Sequence, residues 1–480
     1  MNNILQALKS GVRLITSTAR QAQHWRWQYD RAQAAAGRQG WPGPAILSLD
    51  AWLEALWNQS VLRGGSAGAK QLLTDTQTRF LWRQLIDPDR ILVPVTAAQV
   101  ATTAWRTMHA WQIPLQKVAA AATSADTRAF VDWAQAYADH CKKHEYLDRA
   151  TLIPALSADL RSKVLDIPDT VLFLGFEPWT PVLERWSAAL REAGCDAQQV
   201  MPQETSAQPV RVDFAHEKLE RETAVRWALA RLQADPTSMI GLVRPDMREC
   251  APAMRRYALD VIDGGGCAPL ASGLPVVTGG DGSLADTGPV HIALLALRMG
   301  QGRMDYRDLG QLLRSPFLQD GNQEADRRAR FDLWIREHCQ RNVDLWALQG
   351  AAHEHAPGFG ALLSAALDQV KVQSGRMAAA DWAVWCDRFL ASLGWPGSAE
   401  RTAEGQAQVD GWRRLLENFS TCSAFLPRLS VTGVCSTLAA LAADQHFSPR
   451  SAEHGLLLLT PAEAVGLRFD GLWLGGLDAT

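Results

Sequence analysis

Three groups of residues in this chain could act on phosphate or bind a metal, and their spacing limits each. A loop that cradles a triphosphate needs glycines, so that backbone N–H groups can approach the phosphates, and a lysine to neutralise them. No Gly-Lys-Ser or Gly-Lys-Thr occurs, and Lys9-Ser10 follows Leu8 and precedes the first expected strand instead of following it. A PD-(D/E)xK nuclease holds its ion with two carboxylates and needs a lysine two residues beyond the second. None of the eight lysines has Asp or Glu two residues before it, so that reaction has no site here. His353-Glu354-His355 has an i, i+2 spacing that splays imidazoles to different faces of a helix, and it reads as a solvated loop ahead of Pro357. Gly264-Gly265-Gly266 neither follows a strand nor opens a helix and reads as a turn, while the acids of His216 to Glu222 suit a first helical turn, where they complement the macrodipole. The eight cysteines include no CxxC pair and read as small buried hydrophobes.

The residues available to position such groups are those of an ordinary globular chain. Its 480 residues allow about three or four packing units, and 47% apolar with 21% charged residues excludes the composition of disorder. No run of about 18 apolar residues and no signal-like apolar segment near Met1 occurs, so the sequence predicts a cytoplasmic protein without a membrane span. Forty arginines and 19 tryptophans suit phosphate contacts and base stacking, but a GC-rich coding sequence and tryptophans in helical cores give the same counts. With a net charge of −3, any nucleic-acid surface must be local.

Apolar patterning alternates between two regimes. A strand at Val12 to Ile15, a helix from Ala19 to about Ala36 and a strand at Ala45 to Leu47 open the chain, and Ser48 is placed to cap the next helix. The pattern is then helical to about residue 166, and βα units return with the apolar run Thr170 to Leu174 and a helix from Pro181 to Ala193. After a polar linker, Gln203 to Pro209, come a strand at Val210 to Phe214, a helix from Leu219 to Ala234, a strand at Met239 to Val243 and a helix from Met247 to Leu259. Asp263 to Ser283 reads as loops or short strands, Asp286 to Ala443 as helices, and Leu456 to Leu459 and Leu472 to Leu474 as strands.

Several stretches resemble a specific family. Leu312 to Leu318 with Glu324 and Arg327 to Trp334, Leu393-Gly394-Trp395-Pro396-Gly397, and Glu463 to Trp473 are similar to the helicase-like part of the AddB/RecB-related bacterial DNA repair proteins, which carry a C-terminal PD-(D/E)xK nuclease. Trp41-Pro42 through Leu53 and Gly175-Phe176 through Pro181 extend the resemblance over nearly the whole chain. It implies an α/β fold of two RecA-like, P-loop-NTPase-like parallel-sheet domains, each with a large all-helical insertion. The expected division is residues 1–205 as the first domain, interrupted at about 62–166, residues 206–285 plus 450–480 as an incomplete second, and 286–449 as its insertion.

Carried over by position, the first helicase motif falls on Thr16-Ser17-Thr18, with neither glycines nor a lysine, and the second on Leu174-Gly175, without paired acids; Glu177 lies off register. Arg244 matches the arginine that reaches the γ-phosphate in active relatives, and Gly466-Leu467-Arg468-Phe469 matches the fifth motif, with Val465 at its lysine position. ATP and Mg²⁺ are thus implied only by family analogy, no cofactor is expected in this chain, and no catalytic or metal-binding residue is assigned. Family members continue beyond Thr480 into the nuclease, so the expectation is a truncated product or fragment. The expected function is a non-catalytic, helicase-like scaffold for double-strand-break repair. Single-stranded or tailed double-stranded DNA would meet Arg20, Trp25, Trp52, Arg244, Arg248 and Arg314, with an AddA/RecB-like helicase-nuclease subunit as a possible partner. The alternative is an interaction subunit that holds a motor or nuclease without touching DNA.

Overall fold

The computed structural model describes residues 2–86, 94–200, 208–262, 276–277, 282–373, 375–397, 402–447 and 455–477. The chain forms two compact units, residues 1–280 with 451–480, and residues 281–450. It is a mixed α/β protein with two four-stranded parallel sheets among the described residues.

Both sheets lie in the first unit. Strands β1 (Arg13–Thr16), β2 (Ile46–Ser48), β3 (Thr170–Leu174) and β4 (Asp196–Val200) form the first, in the order β2-β1-β3-β4, all parallel. Strands β5 (Met239–Val243), β6 (Val276–Val277), β7 (Gly455–Leu459) and β8 (Gly471–Leu474) form the second, in the order β8-β5-β7-β6, again all parallel. Strands β5 and β7 are buried along their whole length, which explains why Met-Ile-Gly-Leu-Val and Gly-Leu-Leu-Leu-Leu are continuous apolar runs: helices cover both faces of a parallel sheet.

The two-residue period of a strand divides the first sheet's side chains between two cores. Ile15, Val171 and Phe173 face Trp52 and Trp186, whereas Leu14, Leu172 and Leu174 face Trp25 and Tyr29 of the helix Ala19–Ala35. Burying a side chain such as Phe173 completely contributes about 2–3 kcal/mol. Caps fix the helix starts. The Thr18 hydroxyl accepts from the Gln21 amide, and the Ser48 hydroxyl accepts from the Ala51 amide, as the sequence predicts for Ser48.

Between β2 and β3 runs a helical block comprising Asp75–Leu85, Pro94–Ala110, Leu115–Ala120, Ala125–Lys143 and Arg149–Arg161. Its centre is aromatic: Trp82 stacks on Tyr137 at 4.4 Å, and Trp105 meets Trp82 edge-on at 5.9 Å. A two-residue parallel pairing of Gln71–Leu72 with Tyr146–Leu147 fastens one end of the block.

The second unit is helical, from Gly288–Arg298 to Val431–Asp444, with short antiparallel pairs, Arg303–Asp305 with Asn342–Asp344 and Gly282–Ser283 with His446–Phe447. Two of the stretches that carry the family resemblance, Leu312 to Trp334 and Leu393 to Gly397, meet here. Arg328, wholly buried, donates to Glu324 and to the Gln319 carbonyl, and Glu324 accepts the Gly358 and Phe359 amides at 2.7 and 2.9 Å. The Gln319 amide donates to the Leu393 carbonyl, and a Cβ on Gly397 would lie 2.7–3.0 Å from Phe317 and Pro316 atoms. In this unit, those residues hold the fold.

Three readings need correction. Val210–Phe214 alternates apolar and charged residues as a half-buried strand would, yet among the described residues it pairs with no strand, and Val210 is 86% exposed. The edge strand Asp196–Val200 has no counterpart in the sequence reading, because an edge that buries only Ala197 carries almost no apolar signal. His353 and His355 lie in the last turn of the helix Leu345–His355 and not in a loop: His353 bonds the Ser364 hydroxyl, and His355 packs on Phe331 and Trp334. The triplet Gly264–Gly266 lies outside the described residues.

Candidate functional site

Ligands of open parallel sheets bind beyond the carboxyl ends of the strands. In the first unit, four of the segments at such ends adjoin one another: Thr16–Thr18 after β1, Leu174–Gly175 at the end of β3, Arg244–Asp246 after β5 and Thr460–Arg468 after β7. The registers pair Thr16 with Leu174 and Leu459 with Val243, so each sheet sets its two loops side by side.

Gln21, 1% exposed, connects the two pairs. Its Oε1 accepts from the Ser17 amide at 3.1 Å and the Ser17 hydroxyl at 2.9 Å, while its Nε2 donates to the Val465 carbonyl at 2.6 Å. Gly175 and Gly466, both with left-handed backbone (φ +78° and +74°), flank this amide, and a Cβ on either would lie 2.6–2.9 Å from it. Trp25 Nε1 donates to the Gly466 carbonyl at 3.3 Å, and the Arg468 amide donates to His24 Nε2 at 3.3 Å. Trp27 packs on Met239, Val243, Leu457 and Leu459 of the second sheet. One helix, Ala19–Ala35, therefore serves both sheets, with Trp25 and Tyr29 on the first and Trp27 on the second.

A triphosphate and its Mg²⁺, which the family resemblance implies, do not fit these residues. Amides of this loop are engaged within the protein, Ser17 N–H by Gln21 and the Leu174 carbonyl, Gln21 N–H by Thr18, and Ala22 N–H by the Thr18 carbonyl, and no lysine stands beside them. Thr16 is buried, and its hydroxyl donates to the Thr18 carbonyl at 2.8 Å. Among the described residues, no group of three or more His, Cys, Asp or Glu side chains could hold a metal ion. Burial pushes His24 down to about 4, which keeps the ring neutral and able to accept the Arg468 amide.

Of the predicted DNA contacts, Trp25, Trp52 and Arg244 are buried. Trp52 has no exposure and meets Phe173 at 6.0 Å and Trp186 at 5.8 Å, so no base can stack on it; Trp25 is 6% exposed and belongs to the seam. Arg244 is 3% exposed and clamped by Glu220 (2.6 Å), Asp246 (2.8 Å) and Glu217 (2.9 Å). Burial opposes its charge, and hydrogen bonds to Asp246 and Glu220 outweigh that opposition, so its guanidinium sits above its ordinary range. It does not face open solvent for a phosphate, because three carboxylates already neutralise it. The acids expected to serve a helix dipole are thus also the partners of Arg244. Arg20 lies 3.9 Å from Glu463 at the seam. Arg248 is in the helix Met247–Ile262, with its side chain outside the described residues. Arg314, in the second unit, is half-exposed and pairs with Asp332. The sequence assigns no role of their own to Gln21, His24 and Glu463, although Thr18-x-x-Gln21 has the spacing of a capping box, a usable signal for a polar side chain folding back on the loop.

No helix among the described residues is long and apolar enough to cross a membrane. No protein-family model matches the chain, and no curated protein matches it.

Proposed function

We propose that this chain is a non-catalytic, helicase-like scaffold in DNA double-strand-break repair, built on two RecA-like lobes related to those of the AddB/RecB-like proteins, each interrupted by a helical block. The observation that carries the non-catalytic part is Gln21, bonded to Ser17 on one side and to Val465 on the other where a motor would hold nucleotide. Motors of this kind need the cleft to bind nucleotide, and a buried amide bridge in the cleft competes with it. The same lobes then act as a fixed grip.

DNA is the favoured ligand on the family resemblance. The burial of Trp25 and Trp52 and the clamping of Arg244 favour the second reading, an interaction subunit that holds an AddA/RecB-like motor or nuclease. Fluorescence anisotropy of labelled dT20 and of a tailed duplex, titrated with the full chain at several salt concentrations, tests both. A scaffold on DNA gives a shift that falls steeply with salt; no shift at micromolar protein leaves the interaction subunit. Saturable binding of a fluorescent ATP analogue with Mg²⁺ would overturn the non-catalytic reading altogether.

A further inference from the structure

Charge that a fold does not neutralise within itself marks where an anion can be held. In the helical block of the first unit, a cavity of about 350 Å³ is lined in part by Lys70, Lys142, Glu145 and Asp148, and neither lysine has an ion-pair partner among the described residues. The second unit gathers more positive charge, and on its surface. Arg307 lies in the helix Tyr306–Leu313, Arg314 caps the end of that helix, and Arg336 lies in the last turn of the helix Ala325–His338. All three are exposed. About two turns separate Arg307 from Arg314, which puts both on one face of their helix.

Two contacts bring Arg336 to the same face. Asp332, 7% exposed, accepts from Arg336 Nε and Nη2 at 3.3 and 3.2 Å and also from Arg314 Nη1. The Tyr306 ring lies 5.7 Å from the Arg336 guanidinium and 5.8 Å from that of Arg307. The row depends on Gly310, where a Cβ would stand 2.5 Å from Asp332 Oδ1 and 3.1 Å from Arg314 Nη1. Glycine inside a helix is unfavourable, and here it clears room for the ion pair. The row thus sets three guanidinium groups against one carboxylate. Its neighbouring acids are engaged by other arginines, Asp305 by Arg341 at 2.8 Å and Asp308 by Arg298 at 2.9 Å, and Arg307 has no ion-pair partner among the described residues.

Guanidinium forks match phosphate oxygens in pairs, and a buried carboxylate that already holds two of them reduces the ordering that binding requires. The ring in the row already carries two guanidinium groups, an arrangement for backbone contact without base stacking. A duplex presents its phosphates in that way, with its bases inside.

We propose that Arg307, Arg314 and Arg336 form a surface for the phosphate backbone of double-stranded DNA, with Asp332 positioning two of them. The proposal rests on the DNA-scaffold reading and names the part of the chain that holds the duplex arm.

The test uses the full chain, with a labelled 20-base-pair duplex and labelled dT20 followed by anisotropy at several salt concentrations. The variant Arg307→Gln/Arg314→Gln/Arg336→Gln keeps amide donors for Asp332 and is expected to bind the duplex at least about tenfold more weakly. Its salt slope should be shallower by about 2 to 3, since each phosphate contact on a duplex contributes roughly 0.9. Arg307→Ala, which leaves both Asp332 ion pairs in place, should flatten the slope by about 1, and Arg307→Lys should restore it. Thermal melting of each variant checks that it folds. If the parent binds the duplex and these variants bind it equally well with the same slope, the surface is overturned while the scaffold reading stands. If the parent binds neither probe, the scaffold reading fails and the surface with it. An equal loss on dT20 overturns the assignment to the duplex, and poly-L-glutamate competing as well as unlabelled duplex overturns DNA as the occupant in favour of an acidic protein.

Discussion

Two polar regions of the first unit, the seam between its sheets and the cavity of its helical block, use their charges in opposite ways. At the seam the principal polar groups are paired inside the protein: Gln21 spans Ser17 and Val465, Arg244 is held by three carboxylates, and His24 accepts a backbone amide. In that cavity, which Lys70, Lys142, Glu145 and Asp148 help to line, neither lysine has an ion-pair partner among the described residues. Buried polar groups that satisfy one another build structure, whereas clustered like charges without partners cost stability and are tolerated where something external balances them. The lesson is to look for a ligand where the protein has left charge unbalanced. The position of an inherited motif is a weaker guide.

The most severe way to break that contrast is to remove the seam's largest charge. Arg244→Ala leaves Glu217, Glu220 and Asp246 facing one another, and urea denaturation should show a loss of about 3 kcal/mol, the lower end for breaking a buried pair because Glu217 and Asp246 are partly solvated. A loss below about 1 kcal/mol would mean that the guanidinium is not structural and is available to a ligand.

His24 gives an effect of similar size through pH. Its folded-state value of about 4 lies below the ordinary 6.5, so the unfolded chain takes up the proton first. The stability it contributes is complete above pH 6.5 and is lost as pH falls towards 4, by about 3 kcal/mol in all. His24→Gln keeps an acceptor for the Arg468 amide and does not titrate, so between pH 6.5 and 4 its stability should fall less steeply than the parent's by that amount. Parallel curves would place His24 in solvent and open the seam.

What could be read from the sequence and what could not follows from how far apart the partners lie. The alternation of strands and helices, the cap at Ser48 and the missing phosphate lysine after β1 are local patterns, and a single chain displays them. The seam joins Gln21 to Val465 across 444 positions, and nothing near either residue announces the other. Arg244 matched a motif by position, but two of its three carboxylate partners come from a helix 24 and 27 residues earlier, so a residue matched to a phosphate became a structural ion pair. Trp52 was placed near a DNA path by its residue type, and the depth of a core is visible only in three dimensions. The cavity depends on a two-residue strand pairing too short to leave any period.

Gln21→Ala removes the bridge without introducing charge. Losing the Val465 and Ser17 bonds should cost about 2 kcal/mol. It should not create ATP binding, because no lysine and no paired acids stand at Thr16–Thr18 or Leu174–Gly175. Acquired binding of a fluorescent ATP analogue in this variant would show that the amide alone was keeping a nucleotide site closed.

The smallest expected effect is the most discriminating. Replacing Lys70, Lys142 and Lys143 together by alanine removes no ion pair among the described residues and relieves mutual repulsion, so stability should change by less than about 0.5 kcal/mol, if anything upward at low salt. The seam variants lose stability because their charges already have partners. The lysine variant has no such partner to lose among the described residues. A drop of 2 kcal/mol or more in urea denaturation would show that these lysines hold the helical block together, and the contrast between a closed seam and an open cavity would then be void.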